Sequence, residues 1–285
     1  MNRFNRSISP WGAAALIALC GATIPAHADM TKAYLAYKNK DYATALTEFK
    51  VDADKGDAAA AANLGIMYEA GQGTAPDPAE ALKWYRKGAE GGQVVAQVNL
   101  GAAYLNGKGT NKDEAEAVKW YRMAAEKGNA DAQYVLGYIL SNGKTVAHDD
   151  LQAVSWYQKA AEQGNANAYL ELGMAYANGT GVPKDLTQAV TWFQKSAEKG
   201  NPYAQVRLAY AFDEGLGTAK NPDEALKWYR KAADKNLPSA QYYLAKMYYT
   251  GKGVEKNEGE AVNWYTKAAN QGYAPARQAL ANIQK

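Results

Sequence analysis

The chain has 285 residues, with 32 basic and 29 acidic side chains and a formal net charge of +3. So even a balance excludes the basic stripe on which nucleic-acid binding depends. No run after the N-terminal region is apolar enough to cross a bilayer, which needs about 20 consecutive apolar residues.

The first residues read as a secretory leader. Arg3 and Arg6 give a basic start, Trp11 to Leu19 is an apolar run, and Ala26-His27-Ala28 is a small-x-small cleavage signal. Cleavage is expected after Ala28. A lipid anchor on Cys20 is the rival, but the bulky Leu19 stands where lipoprotein signals want a small residue. Cleavage removes Cys20, His27 and both arginines, leaving one histidine, His148, no cysteine, and a net charge of +1. The product is then expected in the periplasm or outside the cell, held together without disulfides. At about 257 residues it is long enough to stack a core without staples.

Residues 30–57 predict a degenerate helical pair. Ala45 and Phe49 fall at apolar positions of the units that follow, but Glu48 takes the place of a tryptophan.

A strict repeat then begins. Trp84, Trp120, Trp156, Trp192, Trp228 and Trp264 are 36 residues apart, and Leu64, Leu100, Leu136, Leu172, Leu208, Leu244 and Leu280 keep the same step. A period in this range marks one supersecondary unit stacked many times. In the unit 58–93, Ala60, Leu64, Met67 and Tyr68 lie on one face of a first helix. Gly71-Gln-Gly-Thr-Ala-Pro breaks it. Asp77 opens a second helix with Glu80 three residues on, a capping-box pattern, and Pro78 fits its first turn. Ala81, Trp84, Tyr85 and Ala89 carry the second apolar face, and Gly92 ends it. Further copies occupy 94–129, 130–165, 166–201, 202–237 and 238–273, with caps Asp113, Asp149, Asp185, Asn221 and Asn257. Each buried tryptophan is worth about 4–6 kcal/mol gross, before ordering entropy is subtracted. Residues 274–285 predict a lone capping helix with a polar end. Polar terminal units stop a solenoid from stacking end to end.

The unit Ala-x-x-x-Leu-Gly-x-x-Tyr-x-x-Gly-x-Gly, followed by Asp/Asn-x-x-x-Ala-x-x-Trp-Tyr-x-x-Ala-Ala-x-x-Gly, resembles the Sel1-like repeat, a relative of the tetratricopeptide repeat. The resemblance covers 58–285 well and 30–57 weakly. It implies an all-α superhelical solenoid whose first helices line a concave side. It also implies a protein-binding, adaptor-type role, with an envelope protein, sensor domain or host factor as partner. The chain departs from the pattern at Leu140 (for Tyr68), Thr145 (for Gly73), Ala209 and Ala245 (for Gly65) and Asn236 (for Gly92). One branch of the family carries a disulfide in every repeat and is linked to β-lactam binding. This chain lacks those cysteines, so that property does not carry over.

The catalytic inventory of the mature chain is thin. One histidine and no cysteine leave no Cys-His pair and no His/Cys metal cluster. A Ser-His-Asp triad would have to be built on His148, in an exposed-looking loop beside the cap Asp149. The Gly-x-Gly pairs lack the GK[ST] that a phosphate-cradling loop needs. Residues that recur in every copy, including Lys87 and Glu90 with their equivalents, read as scaffold. Neither enzymatic activity, a cofactor nor a metal is expected, and the chain is expected to be monomeric.

Binding is expected where the copies differ. The stripe through 59, 62, 66 and 69 of the first helix carries Ala62, Val98 and Ala102 early, then Tyr134, Tyr138, Met174, Tyr203, Tyr210, Tyr242, Lys246 and Tyr249. Tyrosine is rigid, amphipathic and enriched in interface hot spots. These eight residues form the candidate groove for a protein or peptide. The alternatives are a glycan such as peptidoglycan on the same aromatic groove and, behind it, an envelope hydrolase.

Overall fold

The structure, a computed structural model, describes residues 28–283, with side chains from residue 32. The expected leader up to His27, including Cys20, lies outside the described residues, as do Gln284 and Lys285. The described residues form fifteen helices and no strand. In chain order these are α1 (Ala28–Lys38), α2 (Tyr42–Asp54), α3 (Ala58–Ala70), α4 (Pro78–Glu90), α5 (Val94–Asn106), α6 (Glu114–Glu126), α7 (Ala130–Asn142) and α8 (Asp150–Glu162). They continue as α9 (Ala166–Asn178), α10 (Leu186–Glu198), α11 (Pro202–Glu214), α12 (Pro222–Asp234), α13 (Pro238–Thr250), α14 (Glu258–Asn270) and α15 (Ala274–Ile283). Each full repeat contributes two helices, as its hydrophobic spacing predicts. Two compact units divide the array. One runs to Ile139 and includes Gly143–Val146; the other takes Leu140–Asn142 and everything from Ala147 on.

The predicted caps form, but only by half. The side chains of Asp77, Asp113, Asp149, Asp185, Asn221 and Asn257 each accept from the amide three residues on. The reciprocal bond of a capping box is replaced. The cap residue's own amide donates instead to a first-helix carbonyl, as in Asp77 to Tyr68 at 2.8 Å and Asn221 to Phe212 at 2.9 Å. That bond ties the two helices of one hairpin and frees the acid at N3. Glu116 and Glu224 then each accept from the indole N–H of the tryptophan four residues on, at 3.1 Å.

Burial follows the period. The alanine opening each copy (Ala60, Ala96, Ala132, Ala168, Ala204, Ala240) is fully buried, and Leu64 to Leu244 of the leucine series are at most 1 % exposed. Small residues admit the neighbouring backbone, and leucine and tryptophan fill the remaining space at interior density. In the first helical pair Glu48, at the tryptophan position, is half-buried, and Lys32 pairs with it.

The turn glycines stack the loops. Gly109 has φ +72°, and a Cβ there would lie 2.1 Å from the Pro78 carbonyl oxygen of the preceding repeat. The third copy, with Thr145 at this position, solves the problem differently. Gly143 leaves the left-handed region of its equivalents (φ −58°, ψ 153°). The loop then closes on Glu114, whose Oε2 accepts from the amides of Lys144 (2.9 Å) and Thr145 (2.8 Å) and from the Thr145 hydroxyl (2.7 Å). Burial pushes the Glu114 carboxyl up, but these hydrogen bonds outweigh it and hold it below its ordinary value.

Two outcomes follow from these loops. Gly109→Ala should lower the unfolding free energy by at least about 1–2 kcal/mol in urea denaturation, from strain and the carbonyl clash. Asn111→Ala, exposed nearby, should change it by less than about 0.5 kcal/mol. A carboxyl lowered by folding contributes stability above its unfolded pKa and loses it as pH falls through the folded value. Wild type should therefore be more stable than Glu114→Gln near neutrality. The gap should close between about pH 5 and pH 3 in urea midpoints measured across that range.

Candidate functional site

The eight expected binding residues fall into two sets. In the first unit, α7 carries Tyr134 and Tyr138. Tyr134 is buried, at 8 % exposure, and Tyr138 is half-buried, with ring centroids 6.4 Å apart. The position of Tyr134 faces inward in other copies too: Ala62 and Leu170 are buried there. In the second unit, α9 supplies Met174, α11 supplies Tyr203 and Tyr210, and α13 supplies Tyr242, Lys246 and Tyr249. Tyr203 (37 %) and Tyr249 (38 %) are exposed, as is Lys246; Met174, Tyr210 and Tyr242 are half-buried.

A residue outside the predicted stripe joins this second set. Tyr243 lies 6.1 Å from Tyr210, 5.3 Å from Tyr242 and 5.1 Å from Tyr229, the last a near-parallel stack at 14°. Tyr242 continues the chain of rings to Tyr265 and Tyr273, each at 5.6 Å. The signal for Tyr243 was in the sequence. Its position carries Asn63, Asn99, Val135, Glu171 and Arg207 in other copies, so it varies as freely as the stripe beside it. Burial, with Tyr242 and Tyr249 adding to it, pushes the Tyr265 phenol up to about 12. Burial raises Tyr243 and Tyr273 as well. These phenols are O–H donors at neutral pH.

The recurring polar residues belong to the scaffold. Each periodic tryptophan has a lysine ammonium over its ring: Lys87 on Trp84 (4.1 Å), Lys159 on Trp156 (4.1 Å), Lys195 on Trp192 (4.3 Å), Lys231 on Trp228 (4.2 Å) and Lys267 on Trp264 (3.8 Å). In the second copy Met123 holds the lysine position, and Lys119 covers Trp120 from 5.2 Å. The lysines of the other five copies sit in the last turn of their helices, where a cation is favoured. Each is also a cation–π partner, at three residues' spacing on a helix. A buried glutamine series had no counterpart in the sequence reading. Gln97, Gln133 and Gln205 each donate to a carbonyl of the preceding second helix, at 3.1–3.2 Å.

His148 is exposed, with Asp150 Oδ2 2.8 Å from its Nε2. Among the described residues no group of His, Cys, Asp and Glu could hold a metal ion. No helix among them is long and apolar enough to cross a membrane.

Paired helices at a fixed period, capped and packed through the same positions, define a helical-repeat protein. The Sel1 repeat model matches residues 58–93, 94–129, 130–165, 166–201, 202–237 and 238–273, the boundaries that the spacing sets, and the chain belongs to the Sel1 repeat family. Such repeats typically serve protein–protein interaction. Among solved structures, a protective antigen present in uropathogenic Escherichia coli strains, displaying an SLR fold, is 42 % identical with a TM-score of 0.82. The match covers 90 % of this chain but only 56 % of that one, so this chain spans little more than half its length. A Sel1 repeat protein from Oxalobacter formigenes is 36 % identical with a TM-score of 0.76, over 84 % of this chain and 96 % of the other. Among curated proteins there is no match.

Proposed function

We propose that this chain is an exported interaction module that binds a protein or peptide on the first-helix face of its second unit. The observation that carries the proposal is the run of non-repeating side chains on α9, α11 and α13. Met174, Tyr203, Tyr210, Tyr242, Lys246 and Tyr249 are all at least partly exposed there, whereas the repeating positions beside them are buried. Scaffold requirements explain residues that recur in every copy; they do not explain these. Tyrosines with partly fixed rings lose little side-chain freedom on binding, which favours affinity per contact. A role without catalysis suits a mature chain whose one histidine is solvent-exposed.

Export rests on the basic start, the apolar run and the Ala26-His27-Ala28 signal. Purified from its source, the protein should begin at Asp29 by N-terminal sequencing. A protein retaining residues 1–28 would remove the export part of the proposal.

For binding, the mature protein would be immobilised against detergent-solubilised envelope from the same source. The Tyr203→Ala/Lys246→Ala/Tyr249→Ala variant would run beside it. All three side chains are exposed, so the variant should fold. A captured protein should bind the variant at least about tenfold more weakly, the loss of one or two hot-spot side chains. Equal binding by wild type and variant would move the site off this face.

A further inference from the structure

The first helices of the second unit set a repeat distance as well as a surface. Tyr210 on α11 and Tyr243 on α13 have ring centroids 6.1 Å apart, and Leu208 and Leu244 of the same helices share one hydrophobic core, so α11 and α13 lie side by side. Helices packed in this way have axes about 8–10 Å apart. Met174 on α9 packs against the same core and adds a third helix to the series. A segment lying across these helices therefore meets an equivalent surface once in about 8–10 Å.

That distance discriminates between peptide conformations. An α-helix rises about 5.4 Å per turn. A β-strand returns a side chain to the same side every two residues, about 6.6–6.8 Å. A polyproline II helix has three residues per turn and rises about 3.1 Å per residue, so its turn is about 9.3 Å. Of the three, this last alone keeps one edge in step with the first helices over more than one repeat.

The polar groups point the same way. Along their length α11 and α13 use their backbone within the helix, so no strand edge is offered to the N–H groups of a guest. The ring-lined stretch presents phenol hydroxyls, the exposed ammonium of Lys246 and the half-buried Arg207. Lysine and arginine only donate, and each phenol adds one donor. Among the carboxylates of α11 and α13, Asp213 is buried and paired with Lys252, and Glu214 is the last residue of α11. Donors exceed acceptors, which suits a guest rich in carbonyl oxygens and poor in N–H groups. Proline supplies a carbonyl and no N–H. The rings favour it over a sugar as well. Tyr243 gives one face to Tyr229 and meets Tyr210 at 52° and Tyr242 at 72°. Rings so tilted form furrows, not the flat platform on which a pyranose stacks, and proline-rich segments dock in aromatic-lined grooves. We infer that the partner segment taken by this face is proline-rich and lies across α9, α11 and α13 as a polyproline II helix, one turn to each repeat. The inference rests on the reading of this face as a protein-binding surface.

The test titrates the whole mature protein into fluorescein-labelled nonaproline, three turns at about nine residues, and reads anisotropy. A glycine–serine peptide of equal length stands for an unstructured chain, and a β-1,4-linked N-acetylglucosamine oligomer, used as competitor, for a glycan. Nonaproline should bind saturably, and at least about tenfold more tightly than either the glycine–serine peptide or triproline. The turn distance has its own readout. Three glycines at every third position of nonaproline leave two edges of the helix whole, whereas three at alternating positions interrupt all three edges. The first peptide should bind at least about threefold more tightly than the second. Tyr203→Ala/Lys246→Ala/Tyr249→Ala should weaken nonaproline at least about tenfold. Tyr210→Phe/Tyr243→Phe keeps both rings, so it should fold normally and weaken nonaproline about threefold through the lost donors. The inference is overturned if nonaproline binds no better than glycine–serine, if the sugar displaces it at equal concentration, if the two glycine patterns bind alike, or if the triple variant binds undiminished. Should nonaproline fail while the triple variant still loses the captured envelope protein, the polyproline reading falls and the face stands. Should nonaproline meet every expectation while the captured protein is indifferent to the triple variant, the polyproline chemistry of the face is supported and that protein is not its ligand.

Discussion

A helical hairpin of two 13-residue helices cannot bury its own apolar surface, and everything else in this chain depends on that. Each hairpin has one face for its partner helix and another that needs a neighbouring hairpin. The solution is repetition at a fixed step. Alanine opens each first helix and leaves room for the adjoining backbone, leucine fills the layer, and tryptophan closes it from the second helix. The requirement is local, so it is met again every 36 residues, and stability accumulates from nearest neighbours. In the first helical pair the layer is not closed by tryptophan: Glu48 stands in that position and pairs with Lys32.

The same constraint sorts the polar residues. One face of each periodic tryptophan ring is covered by a lysine, three residues on in five copies and Lys119 in the second. That contact is worth about 0.5–1 kcal/mol at an exposed site, less than the burial of the ring, so it adds to the array without specifying it. The buried glutamines matter in another way. The carbonyls of Ala89, Ala125 and Ala197, near the ends of their second helices, each accept a further bond from the glutamine of the next first helix, which ties one hairpin to the next. Tyr169 holds that position in the fourth copy and stacks on Trp192 at 5.7 Å, exchanging a hydrogen bond for ring contact.

The repeat boundaries, helix ends and buried faces were legible because each depends on neighbours along one chain segment. Spacing alone places Leu64 and Trp84 inside and Asp77 at a helix start. What failed to show depends on neighbours across hairpins. Tyr134 and Tyr138 are four residues apart on one helix, and projection put both on the binding stripe. The adjoining helices bury one and leave the other half-covered. The capping box was half legible for the same reason. The pattern gives the Asp77 carboxylate its amides, but the Tyr68 carbonyl that takes the Asp77 amide lies on the other helix. The glutamine series was invisible because a polar residue on an apolar helix reads as surface until its acceptor is seen.

Departures from the repeat are where physical reasoning gains most purchase on function. Ala209 and Ala245 cost little as sequence changes, one methyl each. In the glycine copies, however, the ring packs directly on the backbone, as Tyr85 does on Gly65 and Tyr121 on Gly101. A methyl at that point forces the facing ring elsewhere, and the space it finds is toward the first-helix face. Tyr229 reaches Tyr243, and Tyr265 reaches Tyr242. The connected tyrosines of the last two repeats are therefore coupled to two alanines that a repeat alignment would pass over as conservative. Restoring glycine at both positions should let Tyr229 and Tyr265 return to the backbone. The cluster would loosen while the Leu208 and Leu244 layer stayed intact, since that layer is set by the 36-residue step and not by the rings.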